Sequence, residues 1–203
     1  SIAVAESIWP HGRYKFSFDG QANHAGTTRM VHRRDPMTAC ARMILAAETA
    51  GRQADARATV GRIHVEPNGT NAIPSRVTAW LDARAATDDS LAAVLEQIKF
   101  AAGQGGAATE IPIEFTVESV TCLTEFDGRL SQQMVAALRV AGLSADVPVI
   151  PTAAGHDAGV LATAGVASGM IFVRNPTGIS HSPEEYAEPA DCLVGVDALT
   201  TLI

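Results

Sequence analysis

The chain has 203 residues, 47% of them hydrophobic and 18% charged, ordinary proportions for a globular protein large enough to bury a real core. A net charge of −7, a pI near 5.3 and the lack of any basic stripe or aromatic interleaving exclude a nucleic-acid binder. No apolar run approaches the ~20 residues that span a bilayer and no secretory leader opens the chain. The expectation is a cytoplasmic protein with no membrane or nucleic-acid partner, its Cys40, Cys122 and Cys192 reduced and too scattered for a metal cage.

The first segment, Ser1-Ile-Ala-Val-Ala-Glu-Ser-Ile8, is apolar and lacks an initiator Met. It reads as part of a longer polypeptide, with residues 1–11 as a connection from what precedes. Tyr14-Lys-Phe-Ser-Phe18 alternates apolar and polar positions, the pattern of a strand with one buried face. Gly20 to Met30 is a loop rich in Gly, Asn and Thr. Asp35-Pro36 opens a helix, Asp as N-cap and Pro in the first turn, with Met37, Cys40, Ala41, Ile44 and Leu45 at helical spacing and Gly51 as its stop.

Two strands follow, Thr59–Val65 and Arg76–Asp82, separated by turn chemistry at Pro67-Asn-Gly-Thr-Asn-Ala-Ile-Pro74. Asp88 or Asp89 is expected to cap a second helix through Leu91, Val94, Leu95 and Ile98, and Ile111–Val117 is a fourth strand. The order βαββαβ predicts a ferredoxin-like unit over residues 12–119. Beyond it, a helix over Leu130–Val140, a strand Val147–Ile150, a helix Asp157–Thr163, a buried parallel strand Gly169–Val173 and a helix from about Pro189 read as the tail of a doubly wound α/β sheet over residues 120–203. Two strands do not make a stable sheet alone, so the rest of the sheet is expected to come from sequence missing from this chain.

Gly178-Ile-Ser-His-Ser-Pro-Glu-Glu185 lies past the last strand, where open α/β sheets bind ligands and metals, and neutral imidazole makes His181 a good zinc donor. His24 sits among small residues and hydroxyls, where backbone can approach a ligand; a locally hydrogen-bonded loop histidine is the alternative. Asn71 reads equally as a turn residue. Arg84 is either a surface ion pair or a two-pronged carboxylate clamp. Gly155-His156-Asp157 reads as a tight strand-to-helix turn, Asp157 as N-cap and Gly155 leaving open amides that suit an anion. His156 is open between ligand, base and a structural role. His11, His32 and His64 read as surface or packing residues.

Together, Gly20-Gln-Ala-Asn-His-Ala-Gly-Thr-Thr28, His32-Arg-Arg-Asp-Pro-Met37, Asn71-Ala-Ile-Pro74, Leu81-Asp-Ala-Arg84, Ala154-Gly-His-Asp-Ala158 and the stretch from Met170 to Glu185 resemble, in order, the M20-type metallopeptidase superfamily. The resemblance is to its N-carbamoyl-L-amino-acid hydrolase branch, which includes β-ureidopropionase and allantoate amidohydrolase. It implies residues 12–119 as a ferredoxin-like lid and dimerisation domain and 120–203 as the end of a zinc-hydrolase catalytic domain, joined through 1–11 to a missing catalytic half. It implies His181 as the last metal ligand, the other ligands and the general-base Glu lying upstream, so that this polypeptide alone is expected to be inactive. The implied metal is a divalent cation, zinc first, with manganese, cobalt or nickel as alternatives.

The same resemblance implies His24 as the residue that reaches a partner subunit's site and polarises the scissile carbonyl, Asn71 and Arg84 as holders of the substrate carboxylate, and Gly155 as a substrate contact. The implied reaction hydrolyses an N-carbamoyl-L-amino acid, a small ureido acid, to amino acid, ammonia and CO2 in a homodimer. Allantoate hydrolysis and a non-catalytic dimerisation fragment are the alternatives. Two departures stand out, Arg29 in place of Pro and Thr152-Ala-Ala in place of Ser-Gly-Ala, and the second leaves the substrate class open.

Overall fold

Apolar runs with opposite burial patterns organise the chain. Ile2-Ala-Val-Ala5 is buried on both faces, as a central strand must be, whereas residues 12–16 bury alternate side chains. The computed structural model describes residues 1–203 apart from the side chain of Thr109. In chain order the elements are β1 (Ile2–Ile8), β2 (His11–Asp19), β3 (Asn23–His24), α1 (Pro36–Gln53), β4 (Arg57–Glu66), β5 (Ala72–Ile73), β6 (Arg76–Arg84) and α2 (Asp88–Thr109). They continue with β7 (Ile113–Thr121), β8 (Thr124–Glu125), α3 (Gly128–Val140), β9 (Val149–Thr152), α4 (Asp157–Thr163), β10 (Ile171–Val173) and α5 (Pro189–Leu202), and a 3-10 turn covers Met30–His32. Two compact units result, Pro10–Leu123 and a second made of Ser1–Trp9 with Thr124–Ile203.

The Pro10–Leu123 unit has the ferredoxin-like order β4-β6-β2-β7, every pairing antiparallel. Tyr14, Phe16 and Phe18 of β2 and Val77, Ala79, Leu81 and Ala83 of β6 point to one face, where α1 and α2 cover them. Phe115 packs its ring 5.1 Å from Phe16 and 5.8 Å from Tyr14. Burying each such aromatic contributes about 2–3 kcal/mol. On α1 the buried stripe is Ala39, Cys40, Met43, Ala47 and Ala50, with Leu45 63% exposed. Of the expected stripe, Cys40 is buried and Ile44 packs partly buried against this core, while Met37 and Leu45 lie exposed.

Capping also differs in part from expectation. Asp35 caps α1 as expected, accepting from the Met37 amide at 2.9 Å. Thr87 caps α2, its extended backbone letting Oγ1 accept from Ser90 at 3.1 Å. Asp88 and Asp89 fall inside the first turn, where their charge favours the helix dipole instead.

In the second unit β1 is the central strand rather than a connection. It pairs in parallel with β9 and antiparallel with both β10 and β8. The expected parallel strand at Gly169–Val173 is therefore corrected: only Ile171–Val173 is extended, it runs antiparallel to β1, and it is partly exposed. The sheet is mixed, and the expectation that its remaining strands lie in missing sequence is corrected: residues 2–8 of this chain supply the neighbour of both expected strands. Val4, Met134, Leu138, Val147 and Ala198 form one small core between β1, α3 and α5.

Candidate functional site

In the Pro10–Leu123 unit, β3 and β5 form a two-stranded ribbon that sets His24 opposite Ala72. The Ala25 amide donates to the Asn71 carbonyl at 2.8 Å, so His24 and Asn71 are brought to one place. The loop is stitched locally. Thr28 donates from Oγ1 to the His24 carbonyl at 2.7 Å, and Arg33 donates to the carbonyls of Thr28 and Ala25 at 3.1 and 2.6 Å.

The His24 ring is exposed, and its Nδ1 accepts from the Gly26 amide at 3.0 Å. In the neutral ring an accepting Nδ1 leaves the proton on Nε2, which is then the ring's donor. The structure thus shows the locally hydrogen-bonded loop histidine of the alternative reading. A Cβ at Gly26 would lie 3.1 Å from Cε1 and 3.4 Å from Nδ1 of the ring, so glycine is what lets amide and ring meet. The Asn71 side chain is exposed and has no hydrogen-bond partner among the described residues.

Arg84 stands elsewhere. It ends the nine-residue strand β6 whose first residue, Arg76, faces Asp19 beside the His24 loop. At ~3.3 Å per residue the two ends of β6 are about 26 Å apart, so one unit does not gather Arg84 with His24 and Asn71. The row that holds Arg84 also holds His11 and Thr121, first and last strand residues of this unit. Arg84 thus lies where the chain enters and leaves, and His24 at the far tip.

Its guanidinium donates twice to Asp82, Nε to Oδ1 at 2.7 Å and Nη2 to Oδ2 at 3.0 Å. The Asp82 hydrogen bond raises the Arg84 pKa. Partial burial alone would raise Asp82, but the hydrogen bond and charge of Arg84, with Arg13 and His11, outweigh it and hold its carboxyl below the usual carboxylate range.

In the other unit His181 follows β10 on a loop built by Asn175. The Asn175 amide donates to the Ile179 carbonyl at 2.7 Å, and its Oδ1 accepts from the amides of Thr177 and Gly178. His181 has φ +57°, a left-handed conformation rare for a side-chain-bearing residue, and Glu185 Oε2 holds it by accepting from its amide at 2.9 Å and from Ser180 Oγ at 3.2 Å. The imidazole is exposed. It fits as one metal donor, but among the described residues no three His, Cys, Asp or Glu side chains gather as a metal cluster.

The second strand-end loop leads into α4. His156 caps that helix, Nδ1 accepting from the Ala158 amide at 3.0 Å, and Asp157 stands in the first turn. The expected Asp157 cap is corrected: the imidazole, one residue earlier on extended backbone, reaches the amide first. Gly155 is exposed with open space where a Cβ would go. A cavity of about 710 Å3 in this unit, lined by Glu6, Phe126, Gln132 and Arg139, holds none of the candidate residues.

Three positions with clear roles escaped the sequence reading: Gly26, Asp82 and Glu185. Asp82 was legible in principle, since residues two apart on a strand share a face.

Residues 10–203 match the family described as Peptidase family M20/M25/M40, and the chain belongs to that family. It is 38% identical over 202 residues to the N-carbamoyl-L-amino acid amidohydrolase of Geobacillus stearothermophilus, covering 97% of this chain and 46% of that protein. It is 34% identical over 212 residues to the allantoate amidohydrolase of Bacillus subtilis (strain 168), covering 100% of this chain and 49% of the relative. Among solved structures, a hydantoinase/carbamoylase family amidase from Burkholderia vietnamiensis superposes with a TM-score of 0.93 at 30% identity, covering 99% of this chain and 48% of the other. The chain spans about half the length of the relatives it matches.

Proposed function

We propose that this chain is the lid and the C-terminal part of the catalytic unit of a divalent-metal-dependent amidohydrolase that cleaves the carbamoyl amide of N-carbamoyl-L-amino acids, working in the cytoplasm as a homodimer. The observation that carries the reading is the ribbon that brings the exposed His24, its Nδ1 accepting from the Gly26 amide, beside Asn71. Similarity to carbamoyl-amino-acid amidohydrolases supports the substrate class, and the allantoate amidohydrolase relative supports allantoate as the second reading.

In this reading His181 supplies one ligand, and a bound divalent cation, zinc first, supplies the Lewis acidity and water activation that amide hydrolysis needs. His24 donates from Nε2 to the carbamoyl oxygen as negative charge develops there. A single such donor contributes about 3–4 kcal/mol in comparable sites. Asn71 and Gly155 offer polar groups that hold the substrate in register. Arg84 takes the substrate carboxylate, orienting rather than activating.

The separation along β6 adds a constraint. If His24, Asn71 and Arg84 touch one substrate, they come from two lids, Arg84 from one and His24 with Asn71 from the other. Dimerisation through the lid is supported by the open edge of the ten-residue strand β4 and by the exposed Ile63 on it.

The test is hydrolysis by the protein that carries this chain with its N-terminal half, loaded with metal, on N-carbamoyl-L-amino acids, allantoate and plain dipeptides. Ammonia release from the ureido acids is expected. Cleavage of dipeptides alone would remove the branch assignment.

A further inference from the structure

Asp82 and Arg84 lie two apart on β6, on the sheet face opposite the buried Leu81 and Ala83. Across the sheet Asp82 faces Arg13 on β2, whose Nε is 3.7 Å from Oδ2, and Arg84 faces His11 and Arg57. The Asp82 carboxylate is thus set between two arginines with His11 nearby, and both of its oxygens accept from Arg84. The Arg84 side chain is 26% exposed and that of Asp82 34%, so the pair is less screened by water than an ordinary surface ion pair. Asp82 also forms part of the wall of a hollow of about 200 Å3, with Arg13, Arg62 and Trp80. Arg62 stacks over Trp80 at 4.1 Å, and Trp80 donates to Glu118 at 3.0 Å.

We infer that Asp82 is a positioning residue for substrate binding: its two-point grip fixes the plane of the Arg84 guanidinium, so the arginine is already ordered when a substrate carboxylate arrives. This rests on the reading that Arg84 takes that carboxylate. Arginine has a long, rotamer-rich stem, and an unanchored guanidinium would have to be ordered by the substrate itself, at the expense of affinity. The carboxylate that does the anchoring needs no contact with substrate. Its loss should weaken binding and leave the chemical step nearly alone.

The experiment measures KM and kcat for an N-carbamoyl-L-amino acid with the wild-type enzyme, Asp82→Asn, Asp82→Glu, Arg84→Lys and the double variant Asp82→Asn/Arg84→Lys, each checked for folding by circular dichroism. Asp82→Asn is expected to raise KM about 10-fold with kcat within about 2-fold, and Asp82→Glu to recover part of that loss. The double variant should bind no worse than Arg84→Lys alone, since both changes break one unit. A raised KM in Arg84→Lys with an unchanged or lowered KM in Asp82→Asn, or losses that multiply in the double variant, would overturn the positioning role while leaving Arg84 as the carboxylate clamp. An unchanged KM in Arg84→Lys would overturn both. If Asp82→Asn does not fold, the judgement passes to Asp82→Glu: a folded variant with wild-type KM overturns the inference, and one with raised KM and near-normal kcat supports it.

Discussion

Replacing Gly26 by alanine tests the claim that a backbone amide turns His24 into a donor. The added Cβ would stand 3.1 Å from Cε1 and 3.4 Å from Nδ1 of the ring, closer than the 3.5–4.0 Å of a comfortable carbon contact. The ring is exposed, so it yields by swinging outward, and the 3.0 Å bond from the Gly26 amide lengthens or breaks. Two things are lost together: the bond that keeps the proton on Nε2, and the ring's aim. Removing a preorganised donor outright costs about 10²–10³ in kcat, the expectation for His24→Ala. Gly26→Ala keeps the imidazole, so its expected loss is smaller, roughly 10-fold in kcat with KM within about 3-fold. Folding should be unaffected, because residue 26 is exposed and has no left-handed backbone to strain. Steady-state kinetics on an N-carbamoyl-L-amino acid, with a thermal melt as control, decides it. Wild-type kcat in folded Gly26→Ala would refute the argument.

Other outcomes follow from the same structure. Arg84→Lys keeps the charge but loses the fork, and KM should rise about 10-fold or more with a smaller change in kcat; steady-state kinetics with a carboxylate substrate reads it directly. Phe16→Ala empties the middle of the ferredoxin-like core, and denaturant unfolding should show about 3–5 kcal/mol lost. Asp82 has a folded-state pKa below its unfolded value, so its contribution to stability is present above about pH 4 and lost as pH falls through the lower, folded value; melts between pH 5 and 2.5 should fall less steeply in Asp82→Asn. Burial pushes the Cys40 thiol up to about 11, so at pH 8 a thiol reagent should label exposed Cys122 and Cys192 and reach Cys40 only on unfolding.

Much of the fold was legible because its signals are local. The alternation of Tyr14, Phe16 and Phe18, the Asp35-Pro36 start and the turn chemistry at 67–74 each fix their element without distant partners. Residues 2–8 and 169–173 misled for one reason: an apolar run says that a strand is buried, but not whether its neighbours run parallel to it or lie far along the chain. Caps went astray by a single residue, because Thr87 and His156 compete with the aspartates beside them and backbone geometry decides. For the candidate residues, sequence supplied their identities but not their grouping. Nothing in the spacing of Asn71 and Arg84 reveals that a nine-residue strand holds them at opposite ends of a sheet.

That separation gives the most direct test of a site built from two lids. His24→Ala and Arg84→Ala subunits, each expected to be nearly inactive, are mixed under conditions of confirmed subunit exchange, and ammonia release from an N-carbamoyl-L-amino acid is measured. Random reassortment makes about half of the dimers mixed, each with one site that suffers both losses and one that suffers neither, so about a quarter of wild-type activity should return. No recovery would mean that His24 and Arg84 act from the same lid or that one of them does not act, and the two-lid account would fall.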